Sequence, residues 1–446
     1  MIHGERIRPL NDRPPRRGRY VLYWMQASVR TRANHALEHA IDLANAAGLP
    51  VVAAFGLTER YPEANARHFA FLLDGLADVR RALEARGIPL VVLRGAPDEV
   101  ALALAADAAR VVTDRGYLRH QEAWRRHVAE AATCAVEEVE TDAVVPIEAA
   151  QQKEAWSAGT LRPRIERQLA RFLVPLAART PRRDGLGLDV PGGLDVSDPA
   201  LLLATLDVDR SVGPVATRGG ETAAARVLEE FVEERLGAYA TRRSDPPERG
   251  GSGLSPYLHF GHVSPLEIAL AARARHGAGT AAFVEELVVR RELSFNFCHW
   301  NPRYDRYECL PDWARATLAA HEQDPRPALY DAETLERGAT ADPYWNAAQR
   351  EMVTTGSMHN YMRMYWGKKI LEWTERPQDA FALALALNNR YELDGRDPNS
   401  YAGVAWVFGK HDRPWTERAV FGTVRYMNAK GLERKFDMER YVARFT

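Results

Sequence analysis

Along the first 140 positions, short apolar runs alternate with longer stretches in which apolar residues recur every three or four positions. The runs at 20–24, 51–57, 89–93, 110–113 and 135–139 have the length of strands. The stretches at 34–47, 67–86, 96–108 and 119–132 carry the helical period. This alternation predicts a parallel sheet with right-handed crossovers. No G-x-G-x-x-G follows the first run, so a dinucleotide fingerprint is absent, although the carboxyl ends of the strands could still hold a ligand. After position 145 the pattern loosens, and 180–199 (TPRRDGLGLDVPGGLDVSDP) reads as a long surface connection. From 220 the helical period dominates, with Ser264-Pro265 and Asp342-Pro343 as helix openings. The predicted organisation is α/β. Residues 1–18 form a mobile arm, 19–145 a Rossmann-like parallel α/β domain, 146–219 an interdomain linker and 220–446 an all-helical domain.

Composition narrows the classes. The 446 residues suffice for two or three cores. A net charge of −1 gives no global field for a polyanion, so any nucleic-acid site must be a local patch. Cys134, Cys298 and Cys309 form no metal spacing and read as reduced thiols. No apolar run approaches the roughly 20 residues that span a bilayer. The basic N-terminus lacks an apolar segment behind it, so a cytoplasmic protein is expected, nucleoid-associated in a prokaryote.

The chemistry-bearing residues concentrate between Trp345 and Trp406. Trp345, Trp366 and Trp373 sit among helix formers together with Asn360, Arg363, Asn388 and Asp394. Buried indoles need partners for their N–H groups, so this is not the composition of a plain core. It suggests rings spaced for electron hopping around a flat cofactor. Arg363 and Asp394, if buried, must pair, either as a structural tie between helices or as an ion pair at a ring edge. Glu292 lies among apolar residues, where a carboxyl can be held neutral as a hydrogen-bond donor, or is part of a charged helix face. The loop Gly250–Ser255 enters a helix and either binds a diphosphate or only caps that helix.

These stretches together resemble the photolyase/cryptochrome family, specifically class II cyclobutane-pyrimidine-dimer photolyases. The resemblance lies in SGLSPYLHFGHVSP (252–265), RRELSFNFCHWNP (290–302), the 342–373 and 388–406 segments, and HDRPWTERAVFGTVRYMN (411–428). YWMQASVRTRANHAL (23–37) also resembles that class, so the match runs in order over most of the chain. It implies FAD in the helical domain, with Tyr239, Arg243, Ser252, Leu254, Ser255 and Leu258 around its phosphates and ribityl chain. Asn360, Arg363, Asp394 and Asp397 match positions near the ring, and Asn388 the asparagine facing N5. Glu292 matches the carboxyl that hydrogen-bonds the dimer. Met364 and Trp406 match contacts to the flipped lesion, and Arg413 and Trp415 the pair that fills the hole in the duplex. Trp366, Trp345 and Trp373 match electron-transfer tryptophans. Ser244 stands where the class often has Asn, and 407–412 looks one residue short.

The resemblance further implies light-driven repair of DNA carrying cyclobutane pyrimidine dimers, with reduced FAD as the electron donor. The first domain should offer an antenna crevice in which a deazaflavin, a folate or nothing sits; a monomeric protein and no membrane partner are expected. The basic stretch Arg425, Lys430, Arg434, Lys435 and Arg440 offers phosphate contacts or a solvated helix face. The alternative within the family is a cryptochrome-like photoreceptor.

Overall fold

Every residue of Tyr20–Trp24 is buried, as a central parallel strand covered on both faces requires. The computed structural model, which describes residues 2–445, places this strand (β2) between β3 (Val51–Leu57) and β5 (Ala108–Asp114). With β1 (Ile7–Pro9), β4 (Leu90–Arg94) and β6 (Ala135–Val139) the sheet order is β1-β6-β5-β2-β3-β4. All neighbouring pairs are parallel except β1 with β6. The crossovers are α1 (His35–Ala47), α2 (Ala66–Glu84), α3 (Pro97–Ala105) and α4 (Arg119–Ala131). Asn34 caps α1 by accepting from Leu37 N. Strands and helices of this region thus fall where the periodicity predicts.

The turn after β2 explains the missing glycine fingerprint. The amides of Gln26, Ala27 and Ser28 donate to the Asp114 carboxylate at 2.9, 2.6 and 3.2 Å. Tyr23 Oη donates to it as well, at 3.1 Å. The concavity in which a dinucleotide fold seats phosphate is filled by the chain's own carboxylate. Burial, then the neighbouring Asp142, raises the Asp114 pKa to about 6.

Three expectations need correction. The expected mobile arm 1–18 is, over its described residues 2–18, tied to the sheet: β1 pairs with β6, and Arg6 is buried with its guanidinium on the carbonyls of Glu140, Ala143 and Val144. Residues 146–219 are not a bare linker. They carry α5 (Ala158–Phe172) and α6 (Pro199–Thr205), and Val196, Leu202 and Leu206 join the core that contains Val21 and Val51. Nor does the helical part begin cleanly at 220. The chain divides into two compact units, of which the first includes Arg164–Glu230 and Leu254–Arg275, with the helix α7 (Pro265–Arg273) capped by Ser264. The second takes Lys153–Pro163, Phe231–Gly253 and everything from His276.

Five helices build the second unit around its cavity: α8 (Arg291–Trp300), α9 (Pro343–Thr355), α10 (Asn360–Trp373), α11 (Pro377–Tyr391) and α12 (Pro398–Val407). Asp342 caps α9 through Tyr344 N and Trp345 N, Asp397 caps α12 through Asn399 N, and Pro follows each cap at the first turn. α10 packs on α9, α11 and α12, and α8 packs on α12. Among the described residues, no helix is long and apolar enough to cross a membrane, and the three cysteines are buried and unbridged.

Within the first unit, α2 touches the segment after Leu254 through a glycine. A Cβ on Gly75 would lie 2.0 Å from His262 Nε2. His262 is held in place by stacking on Phe71 and by Gly220 N, which donates to its Nδ1 at 2.9 Å. Gly→Ala inside a helix ordinarily stabilises by about 0.5–1 kcal/mol. Gly75→Ala should do the reverse, because overpacking costs about 1–3 kcal/mol. A lower calorimetric unfolding temperature than wild type is the expected result.

Candidate active site

The second unit holds a cavity of about 240 Å³ lined by side chains of α8, α9, α10, α11 and α12. Its wall includes Ser294, Met352, Asn360, Arg363, Met364, Trp366, Asn388, Ser400 and Trp406. Ala384, Ala402 and Gly403 leave the space open where two helices would otherwise fill it, and a Cβ on Gly403 would meet nothing within 4 Å.

One edge is ionic. Arg363 Nη2 lies 3.0 and 3.1 Å from the two Asp394 oxygens and 3.0 Å from Glu392 Oε2, and its Nε donates to the Met358 carbonyl. Burial disfavours the charged guanidinium, but Asp394 and Glu392 outweigh it and raise the pKa well above the ordinary arginine value. The turn bearing these acids is tightly wound. Leu393 N donates to Gly356 O at 2.7 Å, Arg396 has φ +64°, and a Cβ on Gly395 would lie 2.9 Å from Asn388 O. Glu392 was missed by sequence reasoning; it stands two residues before Asp394, on the same turn.

Asn388 sits at the end of α11. Its Nδ2 donates to Asn389 Oδ1 at 3.2 Å and to Ser400 Oγ, so Oδ1 is the atom it offers to a ligand N–H. Ser400, which fixes this orientation, carried no sequence signal.

Behind the cavity the tryptophans form a row. Trp366 lines the cavity and donates to Gln349 Oε1 at 2.8 Å. Trp345 stacks on Trp366 with centroids 6.4 Å apart and planes 5° apart, and donates to the Trp366 carbonyl at 3.0 Å. Trp373 meets Trp345 edge-on at 5.7 Å. The spatial order is therefore Trp366, Trp345, Trp373, which spacing along one chain could not reveal.

On the outer side, Arg425 lies over both Trp406 (5.6 Å) and Trp415 (4.9 Å), and Arg413 lies over Trp415 (5.4 Å). Trp415 is 39% exposed, a large apolar ring offered to solvent beside guanidinium groups. Of the basic stretch, Arg440 is paired with Glu248 and Lys435 donates to Tyr361 Oη, so neither is simply a solvated charge.

The other predicted residues lie outside the cavity lining. Glu292 is buried on α8, between lining residues Arg290 and Leu293. Asp394 reaches the cavity through Arg363, and Asp397 is the α12 cap. Tyr239 packs edge-on against Phe231 and Phe283, and Arg243 pairs with Glu286 at 3.0 Å. Burial, then Glu286, pushes the Tyr239 hydroxyl up to about 12. The glycine loop does enter a helix, Ser255–His259. Ser252 belongs to the second unit, whereas Leu254, Ser255 and Leu258 belong to the first.

The DNA photolyase family profile matches residues 21–182. The chain is 52% identical to the deoxyribodipyrimidine photo-lyase of Methanothermobacter thermautotrophicus, over 100% of this chain and 98% of that protein. It is 40% identical to the photo-lyase of Arabidopsis thaliana, over 95% and 88% of the two chains. The fold matches a class III photolyase from Agrobacterium tumefaciens with a TM-score of 0.73 at 21% identity, covering 96% of this chain and 86% of that one. With a relative of this identity along its whole length, the chain belongs to the DNA photolyase family, as its class II motifs indicated.

Proposed function

We propose that the protein is a deoxyribodipyrimidine photo-lyase that splits cyclobutane pyrimidine dimers in DNA, using FAD held in the second unit. One observation carries this reading. A single cavity has Trp366, the head of a packed tryptophan row, on one wall, and Trp406, joined through Arg425 to the exposed Trp415, on another. An electron path and a surface fit for extruded bases thus meet at one site. The names of the full-length relatives favour repair over a photoreceptor.

The residues fit a flavin. The cavity is apolar where Met352, Ala384 and Ala402 line it and polar at the Arg363 and Asn388 edges, as a ring system with one hydrogen-bonding rim requires. Reduced FAD, held by Arg363 and Asn388 at the polar rim, would supply light-driven one-electron transfer whose electron is returned once the two carbon–carbon bonds of the dimer have opened, leaving the reaction redox-neutral. The chain does the rest. Arg363 presents fixed positive charge at the polar rim, and its carboxylate partners stop it from swinging into the ring. Asn388 Oδ1, left free to accept by the bonds its Nδ2 makes, would hold a ring N–H and so favour the protonated nitrogen. Glu292, in its protonated form, would donate to a thymine carbonyl as negative charge grows there. Trp406 packs on the flipped bases, and Trp415 with Arg413 fills the vacated duplex. With an external reductant at the outer end, Trp373, Trp345 and Trp366 would form the route by which an electron reaches a cofactor held in the cavity. In the first unit, the half-buried ring cluster of Tyr61, His120 and Trp124 near the carboxyl ends of β3 and β5 is where a planar deazaflavin or folate antenna would stack.

The defining test is repair of a dimer-containing oligonucleotide by purified protein under blue light and not in the dark. Light-independent or absent repair by flavin-loaded protein contradicts the proposal.

Four variants test particular residues. Arg363→Ala leaves Asp394 and Glu392 buried beside each other, at a cost of about 3–5 kcal/mol. Its unfolding temperature should fall and FAD should be lost on purification; normal flavin absorbance and stability would remove the ion pair from the site.

Trp345→Phe should retain FAD yet slow photoreduction by external thiol as severely as Trp366→Phe does, because Trp345 is the ring that links Trp366 to Trp373. Photoreduction at the wild-type rate in Trp345→Phe would mean a route that bypasses the stack.

Glu292→Gln keeps shape but loses acidity. It should lower repair per absorbed photon while dimer affinity stays within a few-fold, since only the reduced dimer loses stabilisation. Trp415→Ala should instead weaken duplex binding more than single-strand binding, with normal yield once DNA is saturating. Titration followed by quantum-yield measurement separates the two; the opposite pattern refutes the assignment of roles.

A further inference from the structure

Two adjacent residues of α10, Gly367 and Lys368, have no part in the reaction described above, yet both meet the carboxyl end of α12. Gly367 is buried, and a Cβ there would lie 2.7 Å from Val407 Cγ2 and 3.1 Å from Cγ1, so only glycine allows this approach. Lys368 is 1% exposed, and its Nζ donates to the Val407 carbonyl. The preceding terminal carbonyls are satisfied by backbone: Ala405 O accepts from Phe408 N and Lys410 N, and Trp406 O from Gly409 N, all at 3.1 Å. Val407 O is the helix-end group that another helix must satisfy.

An ammonium so placed is favoured by the helix C-terminus but opposed by desolvation. Burial brings the Lys368 pKa down to about 7, with Asp412 acting to raise it and Arg425 to lower it. A methionine would fill the same space without a charge to bury, so stability alone does not account for a lysine here. What the lysine touches is the residue next to Trp406. The following turn holds Asp412, whose carboxylate lies 3.3 Å from Trp415 Nε1, and Arg425 spans Trp406 and Trp415.

We propose that Gly367 and Lys368 form a dock for the carboxyl end of α12, which sets Trp406 and the 407–412 turn in the position that receives the damaged strand. Lys368 is a positioning residue, and the proposal rests on the reading of Trp406 and Trp415 as DNA contacts. The dock replaces, by an interhelical hydrogen bond, what loop length alone would leave adjustable in the short turn.

The test uses the full-length flavin-loaded protein with Lys368→Met, Lys368→Gln and Gly367→Ala. Amide hydrogen exchange without DNA reads the dock directly. In Lys368→Met, exchange at residues 408–412 should accelerate while 360–366 stays protected. Duplex dimer affinity should fall on the order of tenfold, single-strand affinity much less, and repair yield at saturation should hold. Lys368→Gln, which retains an N–H for Val407 O, should recover most of both losses. Gly367→Ala pushes the same helix end away and should reproduce the Lys368→Met result, which keeps the question decidable if Lys368→Met does not fold. Unchanged exchange at 408–412 overturns the dock. Faster exchange with unchanged duplex affinity overturns its role in receiving DNA. If the wild-type protein itself fails to bind dimer DNA, the reading of Trp406 falls, and the exchange data still decide the dock.

Discussion

The second unit depends on one charge constellation, Arg363 between Asp394 and Glu392. A guanidinium mostly removed from water must be compensated, and the two carboxylates that do so lie on a turn 29 and 31 residues away in the chain. Satisfying that requirement pins the 392–397 turn against α10. The turn then fixes its two flanking helices: α11, which ends at Asn388 and its neighbours, and α12, which Asp397 caps. Three of the five helices around the cavity are thus held by a single interaction whose loss would leave buried charge rather than a simple gap. Arg396 at φ +64° and the crowded Gly395 show how tightly the backbone bends to bring the acids in.

The tryptophan row follows from a different constraint. Indoles in a core need acceptors, and here each acceptor also fixes a ring. Gln349 holds Trp366, and the Trp366 carbonyl holds Trp345. The two planes come within 5° of parallel because both N–H groups are anchored. Leucine at these positions would pack, but would carry neither the hydrogen bonds nor an oxidisable ring. A polar requirement of buried aromatic groups therefore doubles as the device that orders the row of rings.

How much of this could be read from the chain varies with the range of the interaction responsible. The β2 to β6 strands and the α1 to α4 helices were legible to within three residues at their ends, because apolar period is local information. β1 was not: Ile7–Pro9 is three residues long and shows no alternation, and its pairing with β6 spans some 130 positions. The segment 180–199 has the composition of a surface connection, and Val196 gives no period by which to recognise that it packs into a core. In the site, the partnership of Arg363 and Asp394 was foreseeable, since both had to be neutralised if buried. Glu392 and Ser400 were not, because acids and serines in turns are common. Lys368, in the pair Lys368-Lys369, looks like a solvated helix face; only its place in the fold shows that one lysine is buried and the other paired with Glu372.

α10 shows why so much function is concentrated in one helix. At 100° per residue, the run from Arg363 to Lys368 sweeps more than a full turn. Arg363 reaches the acidic turn, Trp366 faces the cavity and the tryptophan row, and Gly367 and Lys368 face α12. Such a helix has no face left to solvate, and accordingly most of its residues from Tyr365 to Trp373 are buried. A local shift of α10 would move the ionic edge, the tryptophan row and the end of the Trp406 helix together. The ionic edge, the tryptophan row and the contact to the Trp406 helix are therefore placed together by one backbone. Their relative placement is set by helix geometry rather than by flexible loops.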